Sequence, residues 1–185
     1  MPIIFRTVVA FMLFALPLNH SALAQELAGF DNKLTAATNK TVIIVRHAEK
    51  LPDGTRDPLL SQAGHLRAQA LATKLTALAV TQAIASNYQR TQLTLQPLAK
   101  RNNIAVSIVS TTEGIEQHIT QIAALVNRHN GNSVIAGHSN TVPMIITALG
   151  GPEVAPIAET DFGDYYQLTI GNAGKVSFTK EHFGI

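Results

Sequence analysis

At 185 residues and with no cysteine, the chain has neither disulfides to staple it nor a thiol nucleophile or cysteine-held metal to use. Its formal charge of +2 is scattered along the sequence and forms no basic block, which removes any general pull toward nucleic acid or anionic membrane. A hydrophobic content of 46% over this length suits one domain with a substantial core.

Residues 1–24 carry a single charge, Arg6, then an apolar run from Val8 to Leu18, then Ser21-Ala22-Leu23-Ala24 with small residues in an A-x-A pattern. This predicts a secretory signal peptide cut after Ala24. The apolar run falls short of the ~20 residues a membrane span needs and is broken by Pro17, so no membrane insertion of the mature chain is expected. Export to the periplasm or medium would leave 161 of the 185 residues. Residues 25–40, with Gly29, Asp31, Asn32 and Asn39, predict an irregular lead-in, and residues 41–185 one folded domain.

Val42-Ile43-Ile44-Val45 is a continuous β-branched run of the kind found in strands covered on both faces, and it ends in Arg46-His47-Ala48-Glu49-Lys50. A helix is predicted from Ser61, its N-cap, with Leu71, Leu75 and Leu78 on one stripe. Gln82 to Ser86 reads as a short strand and Tyr88 to Arg101 as a helix stopped by Asn102-Asn103; Ile104 to Val109 reads as a further strand. Ile115, Ile119, Ile122 and Val126 fall at i, i+4, i+7 and i+11, giving the clearest helix, with Arg128 and His129 favourable at its C-terminus and Gly131 ending it. Ser133 to Ala136 is a second buried-strand signal, ending in Gly137-His138-Ser139-Asn140 before a helix from Thr141 to Leu149. Tyr165–Ile170 and Lys175–Thr179 predict a hairpin joined through residues 171–174. Strands alternating with helices predict a three-layer α/β/α sandwich with a mainly parallel sheet and an antiparallel piece near its C-terminus.

Two strands that each end in a histidine would deliver both rings to one crevice, because ligands in open parallel sheets collect at the carboxyl ends of strands. Arg46-His47-Ala48, Ser86-Asn87-Tyr88-Gln89-Arg90-Thr91 and Gly137-His138-Ser139 resemble, in this order, the histidine phosphatase superfamily, also called phosphoglycerate mutase-like, in a small secreted bacterial-type branch. The Asp57-Pro58-Leu59-Leu60-Ser61-Gln62-Ala63-Gly64 stretch is similar to the family's lead into its first helix, and the likeness runs from about Thr41 to Leu149 and on toward the C-terminus.

A phosphoryl group is a compact dianion whose oxygens need donors, and arginine meets it with a planar fork that stays charged; Arg46 and Arg90 are the expected clamps. His47 is the expected nucleophile, since neighbouring guanidinium groups favour its neutral ring. The resemblance implies the same: a phosphohistidine formed by in-line attack and then released to water, with no cofactor. His138, just ahead of a helix, can bind the equatorial oxygens, and Ser139 or Asn140 is expected to cap that helix and to be able to donate to the phosphate.

The general acid is the open question. Some branches carry an aspartate directly after the second histidine, where this chain has Ser139; others place a glutamate between the second arginine and the second histidine, which Glu113 matches. Glu49, Asp161 and Asp164 are the other candidates. His118 and His129 lie eleven residues apart on their helix, too far to share a metal, and no metal requirement is read. The expected activity is a phosphomonoesterase of histidine acid phosphatase type acting on a small phosphorylated substrate. A phosphoglycerate mutase-type phosphotransferase and a non-catalytic phosphate-binding module are the alternatives.

Overall fold

The structure, a computed structural model, describes residues 39–171 and 174–184. The signal-peptide region, the lead-in up to residue 38 and residues 172–173 of the hairpin turn lie outside the described residues. Among the described residues no helix is long and apolar enough to cross a membrane.

Strand β1 (Lys40–Arg46) lies near the middle of a six-stranded sheet, and its Val42, Ile43, Ile44 and Val45 are all fully buried. Side chains alternate across a strand, so Val42 and Ile44 enter one core while Ile43 and Val45 enter the other. Helices cover both faces, which is why the β1 sequence is continuously apolar.

The remaining elements follow in order: α1 (Gln62–Lys74), β2 (Val80–Ser86), α2 (Gln89–Asn102), β3 (Val106–Val109), α3 (Ile115–Arg128), β4 (Asn132–Gly137), α4 (Thr141–Ala148), β5 (Asp164–Ile170) and β6 (Val176–His182). Leu71 and Ala72 of α1 and Leu95 and Leu98 of α2 fill the core on one face. Ile119, Ile122 and Val126 of α3 and Val142, Ile145 and Ile146 of α4 fill the core on the other. The strand order is β3-β2-β4-β1-β5-β6, parallel from β3 through β1 and antiparallel at β5 and β6. This is the three-layer α/β architecture expected from the sequence.

Boundaries shift where the chain turns. Ser61 caps α1 as expected, its Oγ accepting from the Gly64 amide at 3.2 Å. The helix ends at Lys74, however, so Leu75 is its C-cap and Leu78 lies in the turn before β2, not on the helical stripe. β3 begins at Val106 and not Ile104, because Asn103 takes φ 53° to close α2 and the Ile104 amide donates back to Ala99 O at 3.0 Å. An amide used in that closure is unavailable to a ladder.

Gly64 allows α1 to lie close to the β1 exit, since a Cβ there would sit 2.1 Å from the Glu49 carbonyl oxygen. The β1 exit is therefore pinned by backbone packing as well as by its ladder.

Candidate active site

The register of the central ladder sets the site. Arg46 of β1 pairs with Gly137 of β4, and the His47 amide still donates to Gly137 O at 2.9 Å. His47 and His138 therefore leave the sheet together, each one residue past its paired strand end. Their rings meet edge to face with centroids 5.3 Å apart. The Ala48 amide donates to Thr94 Oγ1 at 2.9 Å and the Thr94 hydroxyl donates to Arg90 O at 2.7 Å, tying the β1 exit to the turn of α2 that carries the second arginine.

His47 Nδ1 lies 2.8 Å from Ala48 O. A carbonyl only accepts, so Nδ1 holds the proton and Nε2 keeps its lone pair. Burial lowers the His47 pKa to about 4, and Arg90 and Arg46 push the same way against the opposing Ala48 hydrogen bond. His138 is lowered further, to about 3, by burial and then by His47 and Arg90. Both rings are neutral at ordinary pH. The arginines favour the neutral ring, as expected from the sequence, but burial is the larger cause.

Arg46 is built into the protein on one side only. Its Nη1 donates to Ala158 O at 2.6 Å and to Asp161 O at 3.1 Å, its Nη2 donates to Glu159 Oε2 at 2.8 Å, and its guanidinium stacks on Phe162 at 4.4 Å. Arg90 stacks on Tyr88 at 4.3 Å and pairs with Asp57 at 3.6 Å, too long for a hydrogen bond. Asp57 also accepts from the Gln89 amide at 2.9 Å, fixing the start of α2.

Among the described residues, the buried side-chain polar atoms left without a hydrogen-bond partner are Arg46 Nε, Arg90 Nε, Arg90 Nη1 and His118 Nε2. Unmet buried N–H groups are costly, and three of these four atoms belong to the two guanidinium groups.

The crevice has a volume of about 370 Å³, and its walls include His47, Tyr88, Arg90, His138, Lys50 and Glu159. Three residues expected from the sequence, His47, Arg90 and His138, line it, and Arg46 adjoins it through its hydrogen bond to Glu159 of the wall. Ser139 and Asn140 also line it, but neither side chain caps α4. Thr141 Oγ1 makes the local hydrogen bond instead, accepting from the His138 amide at 2.8 Å, and Ser139 Oγ donates to Glu159 Oε1 at 2.5 Å.

The carboxylates divide sharply. Glu113 is exposed, accepts from Gln121 Nε2 at 3.4 Å and does not line the crevice. Burial works to raise the Glu49 pKa, yet Arg67 Nε and Nη2, donating at 2.6 to 2.9 Å, hold it below the usual range. Asp164 is engaged by Lys180 at 2.7 Å and His182 at 2.9 Å, and Asp161 reaches Arg46 only through its backbone carbonyl. Glu159 is the carboxylate in the crevice wall, held between Arg46 and Ser139 with its side chain 73% exposed. Glu159, in the stretch between α4 and β5, is not among the acid candidates that the sequence offers. No periodicity or motif distinguishes it there.

Residues 42–122 match the family described as Histidine phosphatase superfamily (branch 1). No curated protein matches the chain. Among solved structures it is similar to the protein histidine phosphatase SixA complexed with tungstate, at 17% identity and a TM-score of 0.62, covering 77% of this chain and 96% of that one. It is also similar to a mycobacterial glucosyl-3-phosphoglycerate phosphatase, at 14% identity and TM-score 0.58 over 78% and 98% of the two chains. A structure described as mycobacterial hydrolase 1 shares 14% identity and a TM-score of 0.59 over 78% and 97%. At these identities the likeness is one of fold. The family match covers residues 42–122, less than half of the chain.

Proposed function

We infer that this chain is a member of the histidine phosphatase superfamily and a phosphomonoester hydrolase acting through a phosphohistidine on His47. The observation that carries the reading is a pair of neutral, buried imidazoles 5.3 Å apart that line one crevice with Arg90 and lie close to Arg46, both guanidinium groups keeping N–H donors without a hydrogen-bond partner. Arg46, Arg90 and His138 would hold the three equatorial oxygens while His47 Nε2, its lone pair exposed by the Nδ1 bond to Ala48 O, attacks phosphorus in line. The N–P bond forms as the P–O ester bond breaks. Water then attacks the phosphohistidine, and the ring leaves neutral.

For the proton we propose Glu159 over Glu113, because Glu159 faces the reacting centre and Glu113 does not. The Ser139 hydroxyl and then Arg46 hold its pKa below the usual carboxylate range, so the free enzyme presents it ionised. A phosphate dianion entering beside it opposes that charge and favours uptake of a proton with the substrate. Glu159 would then protonate the leaving oxygen and, as the carboxylate, take a proton from the attacking water. A carboxylate in this place also favours catalysis over the binding-module alternative.

Brief exposure to labelled substrate followed by acid or base quench tests the reading: the wild type should retain an acid-labile, base-stable adduct, and His47→Ala none. Full turnover in His47→Ala would exclude the mechanism. The Ala22-Leu23-Ala24 pattern supports an exported enzyme starting at Gln25, which intact-mass measurement of exported protein would read directly.

A further inference from the structure

His138 is held from behind by two hydroxyls that the hydrolysis scheme leaves without a role. Its Nε2 lies 3.0 Å from Ser86 Oγ, and Ser86 Oγ lies 2.9 Å from Thr91 Oγ1. Ser86 and Thr91 are fully buried. Thr91 Oγ1 can also donate to Tyr88 O at 2.8 Å, and the Tyr88 amide donates to Ser86 Oγ at 3.3 Å. Ser86 sits at the end of β2, the strand beside β4, and Thr91 is in the first turns of α2 next to Arg90.

The hydrogen count restricts what this cluster can do. A serine hydroxyl has one proton and two lone pairs, and the Tyr88 amide uses one lone pair. One proton and one lone pair remain for two partners, so Ser86 must donate to one of Thr91 and His138 and accept from the other. When Thr91 donates to Ser86, Ser86 donates to Nε2, and the neutral ring carries its proton on Nδ1. When Thr91 donates to Tyr88 O, the order reverses and Nδ1 becomes a bare lone pair. Nδ1 has no partner among the described residues, and His138 lines the crevice. Only the first arrangement gives a phosphate dianion a donor; the second sets a lone pair against an acceptor oxygen.

We propose that Ser86 and Thr91 are positioning residues that fix His138 as the Nδ1–H tautomer when an anion is bound, so that a neutral ring donates to the transferring phosphoryl group. The inference rests on the phosphatase reading for its purpose, but its readout does not depend on turnover. A tautomer selected by partners costs no added buried charge, in a site where two arginines already crowd the ring.

The test is nitrogen NMR of histidine-labelled full-length protein with and without saturating inorganic phosphate, beside steady-state kinetics. With phosphate, the wild type should show His138 protonated on Nδ1 and not on Nε2. Ser86→Ala should lose that preference and lower kcat/KM on the order of tenfold to a hundredfold, short of the 10²–10³ for deleting an oxyanion donor outright. Thr91→Val, which keeps the buried shape, should weaken the preference with a smaller rate loss, and Thr91→Ser should restore it. If Ser86→Ala does not fold, the two Thr91 variants carry the same comparison. An Nε2–H tautomer or an imidazolium in the phosphate-bound wild type would overturn the inference, as would a tautomer indifferent to both hydroxyls. Those results would leave the phosphatase reading standing if turnover and the phosphohistidine adduct persist. A wild type in which phosphate leaves His138 unchanged and no adduct forms would defeat both.

Discussion

The two sides of the crevice are built in opposite ways. On one side, Arg46, His47 and His138 stand at the ends of adjacent parallel strands, nearly buried, with positions set by the β1–β4 register. On the other side, Glu159 hangs from the long irregular stretch between α4 and β5, largely exposed, placed by two backbone carbonyls of its own loop that grip Arg46. On the proposed reading, the groups that hold one geometry through both chemical steps stand at the sheet, and the group that exchanges protons with solvent stands on an exposed loop.

If that division is right, His47→Ala should show the largest effect, a loss in kcat on the order of 10⁵ or more with the fold intact by circular dichroism, since it removes the proposed acceptor of the phosphoryl group. Retention of the labelled adduct in that variant would place the nucleophile elsewhere.

Glu159→Gln probes the loop side. We expect losses on the order of 10²–10⁴ for an alkyl phosphate and far smaller ones for an aryl phosphate, whose leaving oxygen needs little protonation. Equal losses on both leaving groups would reduce Glu159 to a partner of Arg46. Glu113→Gln is the matched control; a leaving-group bias there would restore the position suggested by sequence.

Replacing Arg90 or Arg46 with alanine should each cost on the order of 10²–10³ in kcat/KM and weaken vanadate binding measured by calorimetry. Lysine should rescue only in part, because a point charge cannot reproduce a stacked fork. A wild-type vanadate affinity in Arg90→Ala would leave its unmatched donors unexplained.

The smallest predicted effect is in the pH profile. A protonated His47 cannot attack, and with its pKa lowered to about 4 the acid limb of kcat/KM should fall near pH 4, well below the ordinary histidine value near 6.5. Removal of the Arg46 charge should move that limb upward. Stability follows the same linkage: the unfolded chain takes up protons on these histidines first, so stability should decline as pH falls from about 6.5 toward 4, and phosphate should oppose the decline. Thermal melts across that range, with and without phosphate, would show it. A limb that stays near 6.5 would mean His47 is not shielded from water as its burial indicates.

What could be read before folding was whatever local chemistry dictates. The unbroken Val42–Val45 run required a strand covered on both faces, the α3 periodicity required an amphipathic helix, and a charged or polar cluster at the end of each buried run marked where a ligand would sit. Arg46, His47, Arg90 and His138 were legible for that reason. Their mutual geometry was not, because it comes from pairing Arg46 with Gly137, residues far apart in the chain. Leu78 and Ile104 fell outside their expected elements because hydrogen bonds closing a helix end prevailed over a hydrophobic pattern. Ser86 and Thr91 were visible in a motif but had no role until β2 was laid beside β4. Glu159 has no signal of its own: it is a carboxylate in an aperiodic segment, and its place beside Arg46 is decided by tertiary contacts.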